Sequence, residues 1–182
     1  MIIMDYTRNA DKWGCAADSG LYNSVLSIEF GNEGPEPLTL QEAKDWCKIE
    51  QDTDDVIVTA LIIAARRMCE SFSGIGFISK TVTAVINNSN GGFILPYGPV
   101  TVDPTGVDAN SNDLNITYPL GMLDTTGIMQ VTYTAGYADL PEDLKTALKC
   151  QVLFLYENRG ESTAGGLSPI AKMILEPLRK VL

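Results

Sequence analysis

The side chains that could support chemistry in this sequence are mainly carboxylates and thiols, because it contains no histidine. Histidine is the commonest general base, a frequent metal ligand and the usual partner of a serine or cysteine nucleophile. Without it, the familiar hydrolase and zinc-site arrangements lose a central member. A catalytic centre in this chain would therefore depend on pairs of acidic residues.

The cysteines do not form a zinc motif. They are far apart and include no C-x-x-C pair: Cys15, Cys47, Cys69 and Cys150. Structural zinc sites are usually built from such closely spaced pairs. The last three cysteines lie within helical apolar patterns, which favours reduced and buried thiols. Nothing in the sequence indicates the oxidising compartment that disulfides need.

The acidic residues show no metal-binding or catalytic pattern. A calcium loop beginning at Asp52 would need glycine at position 57 and glutamate at position 63, where the sequence has isoleucine. The acids at 52–55 instead suit the start of a helix. Those at Asp103, Asp108 and Asp113 lie in a polar stretch, where carboxylates are usually solvated. No pair stands out as an acid and a base, so we predict no catalytic, cofactor-binding or metal site.

The charge of the chain restricts its partners. The formal net charge is −10 and the isoelectric point is about 4.4. Tight binding to DNA phosphates normally requires a basic face, so direct nucleic-acid binding is not expected. An acidic surface can still lie close to DNA that slides past without adhering. The chain has no signal-peptide pattern, and its longest apolar run, Val56–Ala65, is about half of a membrane span, so we expect a soluble, cytoplasmic protein.

Three long helices are predicted from apolar periodicity, at about 39–50, 53–73 and 141–159. The first opens with a capping box formed by Thr39 and Glu42. The second is apolar on most sides, and we expect a neighbouring subunit to cover part of it. The third begins at Pro141 and stops at Gly160, which are typical helix start and stop residues.

A β-rich region of about residues 78–134 separates the second and third helices. Within it we predict that Leu114–Tyr118 pairs with Ile128–Tyr133 as a hairpin. The hairpin is expected to turn across Pro119–Thr126, and the preceding stretch Asp103–Asp113 is expected to be a polar loop. After the third helix, a Gly/Ser linker leads to a last helix, which Ser168 and the following proline should start.

Together these patterns predict an α+β protein with a mainly α-helical core. The core contains three main helices plus a C-terminal helix, and a small antiparallel β insertion lies between helices two and three. Residues 1–37 are expected to form an N-terminal arm that could include one strand. Residues 38–160 are expected to form the core domain, and residues 161–182 a linker and a C-terminal helical tail.

Several short motifs occur along residues 38–160 in a defined order. The first is Leu38–Lys44 (Leu-Thr-Leu-x-Glu-Ala-Lys), and the second is Ala64-Ala65-Arg66 followed by Glu70, Phe72 and Gly74. The third is Leu95–Val100 (Leu-Pro-x-Gly-Pro-Val), and the fourth is Tyr133–Tyr137 (Tyr-Thr-Ala-Gly-Tyr). The fifth is Pro141 with Leu144, Lys145 and Ala147, before Leu155–Arg159 (Leu-Tyr-Glu-Asn-Arg). In order and spacing this set resembles the head–tail connector (adaptor, or head-completion) proteins of long-tailed bacteriophages and prophages. The arm of residues 1–37, the 103–113 stretch and the last helix have no counterpart in that pattern.

The resemblance implies a structural virion protein that is not an enzyme and needs no cofactor. It implies a homo-oligomeric ring of about twelve copies under the portal protein, possessing a closed symmetry. Such a ring extends the DNA channel and provides the docking platform for a tail-side stopper or tail-completion protein. DNA passes through without specific binding, and no membrane is involved. The ring is assembled in the host bacterial cytoplasm and lies at the head–tail interface of the virion, although the isolated chain can be a monomer.

The residues that we expect at interfaces are aromatic, basic or apolar. They are Ile62, Arg66, Arg67, Tyr97, Tyr137, Tyr156, Arg159, Lys172, Met173, Leu178 and Arg179. We expect the β region to reach a neighbouring copy or the tail side, and the tail Ser168–Leu182 to reach the portal. Another phage ring protein, such as a stopper or tail terminator, is the alternative. A histidine-free hydrolase that uses two facing carboxylates is a more distant one.

Overall fold

The structure is a computed structural model that describes residues 24–31, 33–89, 91–116, 118, 122–159 and 166–179. These residues fall into two compact units. The helical unit consists of Gly34–Ile78 and Tyr137–Leu182. The sheet unit consists of Met1–Glu33 and Ser79–Gly136. The chain therefore leaves the helical unit after its second helix and returns to it for the third.

The sheet unit contains an antiparallel sheet with the strand order β1-β2-β5-β3-β4. Its strands are β1 (Ser24–Gly31), β2 (Lys80–Asn88), β3 (Val100–Asp108), β4 (Asp113–Leu114) and β5 (Gly127–Ala135). Strands β2 and β5 pair along their full lengths, from Lys80 opposite Ala135 to Asn88 opposite Gly127. These two long central strands set the register of the sheet.

One face of the sheet buries a hydrophobic core. Side chains alternate between buried and half-buried along β2, as expected where successive residues point to opposite faces. The buried residues include Val82, Ala84, Ile86, Met129, Val131 and Tyr133, and Phe93, Leu95 and Leu123 pack with them. The Tyr133 hydroxyl donates a hydrogen bond to the carbonyl of Pro96 at 2.8 Å, so this buried phenol is satisfied.

The predicted fold class, a mainly α-helical core with a small β insertion, is wrong. The described residues form a mixed α+β structure with a substantial five-stranded sheet. The sheet is more than an insertion between helices two and three, because β1 precedes the first helix and pairs with β2. It also has a hydrophobic core of its own. The predicted and observed fold classes differ because the sheet is formed by pairing between strands that lie far apart in the sequence, such as β1 and β2.

The predicted hairpin is also wrong. Leu114 pairs with Gly106 of β3, and β5 lies between β2 and β3. Most of the expected polar loop Asp103–Asp113 is strand, whose polar residues are largely exposed. The Asp108 carboxylate accepts hydrogen bonds from the backbone N–H groups of Asn110 and Asn112, which closes a tight turn between β3 and β4.

The helical unit contains four α-helices among its described residues. They are α1 (Leu40–Cys47), α2 (Asp55–Ser73), α3 (Glu142–Glu157) and α4 (Pro169–Leu175), and short 3-10 turns at Asp52–Asp54 and Glu176–Leu178 precede α2 and follow α4. None of the helices seen in these residues is long and apolar enough to cross a membrane. The division of the chain into an arm, a core domain and a tail stays a prediction.

Local sequence signals define several helix ends. Thr39 and Glu42 form the expected capping box at the start of α1, and the Ser168 hydroxyl caps α4. Gly74 ends α2 in the left-handed conformation, with φ 68°, which favours glycine. Inside the unit, α2 packs against the other three helices. The buried core includes Val58, Ala65, Cys69, Leu148, Val152 and Leu175.

A buried arginine joins both ends of the Gly34–Ile78 segment. The Arg66 side chain is 1% exposed, and its Nε and Nη2 lie 2.8 and 3.0 Å from the two carboxylate oxygens of Glu36. Its Nη1 is 3.1 Å from Oε2 of Glu70, whose Oε1 accepts the Phe77 backbone N–H at 2.7 Å. This network fixes the chain before α1 and after α2 to the middle of α2.

Replacing Arg66 by methionine should lower the free energy of unfolding by about 3–5 kcal/mol, because the buried carboxylate of Glu70 loses its cation. Urea unfolding followed by circular dichroism measures this loss. The matched control is Arg67→Met, at the exposed neighbouring position, which should change stability by less than about 0.5 kcal/mol. Equal losses in the two variants would contradict the structural role of Arg66.

A second ion pair connects α1 to α3. Lys145 Nζ lies 2.7 Å from Oε1 of Glu42, and the backbone N–H of Thr39 donates to Oε2 at 2.9 Å. The hydrogen bond from Lys145, followed by those from Thr39, lowers the pKa of Glu42 from 4.5 to about 2. The folded state therefore favours the ionised carboxylate.

The stabilisation from Glu42 should depend on pH. Because the folded-state pKa is lowered, the contribution is complete above the ordinary pKa of 4.5 and is lost as the pH falls toward 2. We expect Glu42→Gln to unfold at lower urea concentration than the wild type at pH 7. This difference should shrink between pH 4.5 and 2, with Glu50→Gln as an exposed control. If Glu42→Gln and the wild type differed in urea midpoint by the same amount at pH 7 and at pH 2, the result would contradict this role of Glu42.

Candidate interaction surface

The predicted interface residues lie mostly in the helical unit, and only Tyr97 belongs to the sheet unit. Two of them, Ile62 and Arg66, are 3% and 1% exposed and pack inside the helical unit. They therefore support a surface rather than form one. Arg67, the next residue on α2, is exposed.

Tyr156 and Arg159 form a cluster with Asp54 where the end of α3 meets the start of α2. The Tyr156 hydroxyl donates to Oδ2 of Asp54 at 2.6 Å, and the Arg159 guanidinium lies 4.2 Å from the centre of the tyrosine ring. Arg159 Nη1 is 3.5 Å from the same oxygen of Asp54. The hydrogen bond to Asp54 is the main cause of a raised Tyr156 pKa. The cluster joins two helices, and a role at an interface stays a prediction.

The two other predicted tyrosines are largely covered. Tyr97 is 6% exposed and has φ 56°, an uncommon conformation for a residue other than glycine. Its ring lies edge-on to Phe30, and the Lys80 ammonium lies 4.7 Å from the ring centre. Tyr137 is half-buried against the core of the helical unit. Both residues thus have clear structural roles in their own units.

The C-terminal residues offer an exposed surface. Lys172 is exposed, Met173 is 69% exposed and Leu178 is 40% exposed. Ile170, one helical turn before Met173, is 53% exposed. Arg179 instead packs within the unit, with its guanidinium 5.2 Å from the centre of the Phe72 ring. We call Ile170, Lys172 and Met173 the α4 surface.

A second exposed surface was not among the predicted interface residues. Val56 is 82% exposed and Ile57 is 41% exposed at the start of α2. Ala60 and Ala64 follow at helical spacing and are also exposed, and Ile63 between them is half-buried. We call these five residues the outer face of α2. The sequence signal was present, because no charged residue occurs from Val56 to Ala65.

Burial governs the thiol chemistry of the described cysteines. Burial raises the pKa of the Cys69 thiol to about 12 and also raises the pKa of Cys47 and of Cys150. A raised pKa disfavours the thiolate, which is the reactive form. Within the part of the chain that the structure describes, no three or more cysteine, aspartate or glutamate side chains are grouped to hold a metal ion.

The fold is shared with solved structures of gene transfer agent (GTA) particles. One match is to a chain in the neck of an empty GTA particle computed with C6 symmetry, with a TM-score of 0.66 and 20% identity. Others are to chains in the virion of a native GTA particle and in the native neck computed with C12 symmetry, with TM-scores of 0.65 and 0.61 and 21% identity. Each match covers 85% of this chain and 96% of the other.

The family comparison confirms the resemblance seen in the motifs. A search of curated proteins gives no significant match. Residues 36–173, well over half of the chain, match the family model described as head completion protein. The matched range contains every motif from Leu38 to Arg159 on which the resemblance was based. This chain belongs to the head completion protein family.

Proposed function

We propose that the chain is a structural subunit of the phage head–tail connector and forms a homo-oligomeric ring of about twelve copies under the portal. The observation that carries this proposal is the family match over residues 36–173. The ring extends the DNA channel and presents a platform for a tail-side stopper or tail-completion protein. It is assembled in the host bacterial cytoplasm and remains at the head–tail interface of the virion.

The symmetry of the structural relatives supports a ring. The matched chains come from GTA necks that were computed with C6 and C12 symmetry. A closed ring requires every copy to present two complementary surfaces. The α4 surface and the outer face of α2 supply exposed apolar groups for such contacts. The proposed role needs no catalytic group, which agrees with thiols whose pKa values are raised by burial.

The net charge of −10 supports a channel through which DNA moves without being held. Acidic walls repel the phosphate backbone, so DNA slides rather than adheres. Tight binding would oppose the passage of the genome. The same charge disfavours a function in sequence-specific DNA recognition, and we propose no direct DNA contact of that kind.

The portal contact is proposed for the chain that follows α4. Ala171 and Leu175 of α4 are fully buried in the helical unit, so α4 belongs to the core. The segment from Glu176 to Leu182 adds Arg179 and Lys180 to an otherwise acidic chain. A deletion that begins at Ser168 would remove core residues, whereas one that begins at Glu176 leaves α4 complete.

Light scattering coupled to size-exclusion chromatography should detect the ring. We expect the portal ring of the same virus to gain the mass of about twelve chains of 19.7 kDa when it is mixed with this protein. The chain that ends at Leu175 should keep its fold, judged by circular dichroism, and fail to bind the portal. A full-length chain that stays monomeric both alone and with the portal would contradict the proposed function. In that case, a different ring protein of the tail would be the better assignment.

A further inference from the structure

The outer face of α2 is largely uncovered by the described residues of the helical unit. Val56 is the most exposed of the large apolar side chains, at 82%, and Ala60 and Ala64 continue the exposed stripe along the helix. The opposite side of α2 is fully used, because Val58, Ile62 and Ala65 are buried in the core. A helix that is apolar on both sides is normally buried on both sides. The exposed side therefore fits a partner that is itself apolar.

The α4 surface has the complementary properties. Ile170 and Met173 are 53% and 69% exposed and lie one helical turn apart, so they project from the same side of α4. The helix is held in place, because the backbone N–H of Ser168 donates to Oε1 of Gln151 at 2.7 Å and Leu175 is buried. The two apolar side chains thus protrude from a fixed support.

The charges around the two surfaces are opposite. The start of α2 carries Asp52, Asp54 and Asp55, and the Asp52 side chain is 89% exposed. Lys44 forms ion pairs with Asp52 and Asp55, and Arg159 pairs with Asp54, so two cations face three carboxylates and the start of α2 keeps a net negative charge. On the α4 surface the basic residue is Lys172, which is exposed. Bringing the two surfaces together would pair a basic edge with an acidic one.

The two surfaces do not overlap on one copy. Arg179 lies over Phe72, and Gln151, which holds the start of α4, lies 3.7 Å from the sulfur of Met68. Consequently α4 lies beside the last turns of α2, whereas the outer face is centred near Ala60. The helix rises about 18 Å between Ala60 and Phe72. One copy can therefore use both surfaces at the same time.

From these observations we infer that the α4 surface of one copy docks on the outer face of α2 of the next copy. This inference rests on the proposed ring and names the surfaces that close it. Such a contact is heterologous, because two different surfaces meet, and its repetition produces a ring when the rotation closes. The segment beyond Leu175 stays available for the portal, so the contact between copies and the contact with the portal do not compete.

Arginine substitutions test the contact because both sites are exposed. Ala60→Arg places a long charged side chain on the outer face of α2, and Met173→Arg does the same on the α4 surface. Gln41→Arg, at an exposed residue of α1 outside both surfaces, is the matched control. Circular dichroism melting should show that all three variants keep the wild-type fold. We expect the control to form rings with the portal and each of the other two variants to form none.

A mixture of the two variants provides a second readout. Ala60→Arg keeps an intact α4 surface, and Met173→Arg keeps an intact outer face of α2. At high concentration in sedimentation equilibrium, the mixture should therefore give a heterodimer by the one remaining contact. Neither variant alone should give a dimer. This result is specific to a heterologous contact, since a contact between two identical surfaces would let the variant that keeps this surface dimerise on its own.

The outcomes separate this inference from the proposed function. Rings formed by both Ala60→Arg and Met173→Arg at wild-type yield would overturn the docking of α4 on α2 and leave the ring itself in place. Loss of rings in only one of the two variants would overturn the assignment of the other surface. Failure of the wild-type chain to form a ring with the portal would overturn the proposed function, and with it this inference.

Discussion

A single buried guanidinium determines how the first half of the helical unit is arranged. Arg66 contacts Glu36 before α1 and Glu70 within α2, and Glu70 in turn accepts the N–H of Phe77. Taking a charge out of water is costly unless its partners are well placed, so this arrangement tolerates little change at either end of the segment. The consequence is that one side of α2 is committed to the core, whereas Val56 and Ala60 on its other side are exposed.

The buried ionisable groups and the exposed apolar groups of the described residues have different roles. The thiols are buried with raised pKa values, and the ion pairs of Glu42 and Arg66 are used to hold helices together. The exposed large apolar side chains of the described helices include those of the outer face of α2 and of the α4 surface. Exposed apolar groups that are supported by rigid helices are typical of surfaces that meet other proteins. In the proposed ring, each copy would use two such surfaces.

Local features of the fold could be predicted from the sequence, and long-range features could not. The capping box at Thr39 and Glu42 and the start of α4 at Ser168 depend on neighbouring residues, and both were confirmed. The extent of the sheet depends on pairing between distant segments, such as β1 with β2, which periodicity does not reveal.

Apolar spacing identified α2 as over-hydrophobic. It did not show which stripe faces the core: Ile62, which was predicted at an interface, is buried, and Val56 is exposed. Family membership was predictable because the order of several weak motifs is more specific than any one of them.

The most direct test is cryo-electron microscopy of the head–tail junction of particles that contain this chain. The account predicts a closed ring of about twelve copies between the portal and the tail-side proteins, with the fold described for residues 36–173. Density for this chain elsewhere in the particle, or a junction that lacks it in tailed particles, would contradict the assignment as a connector subunit.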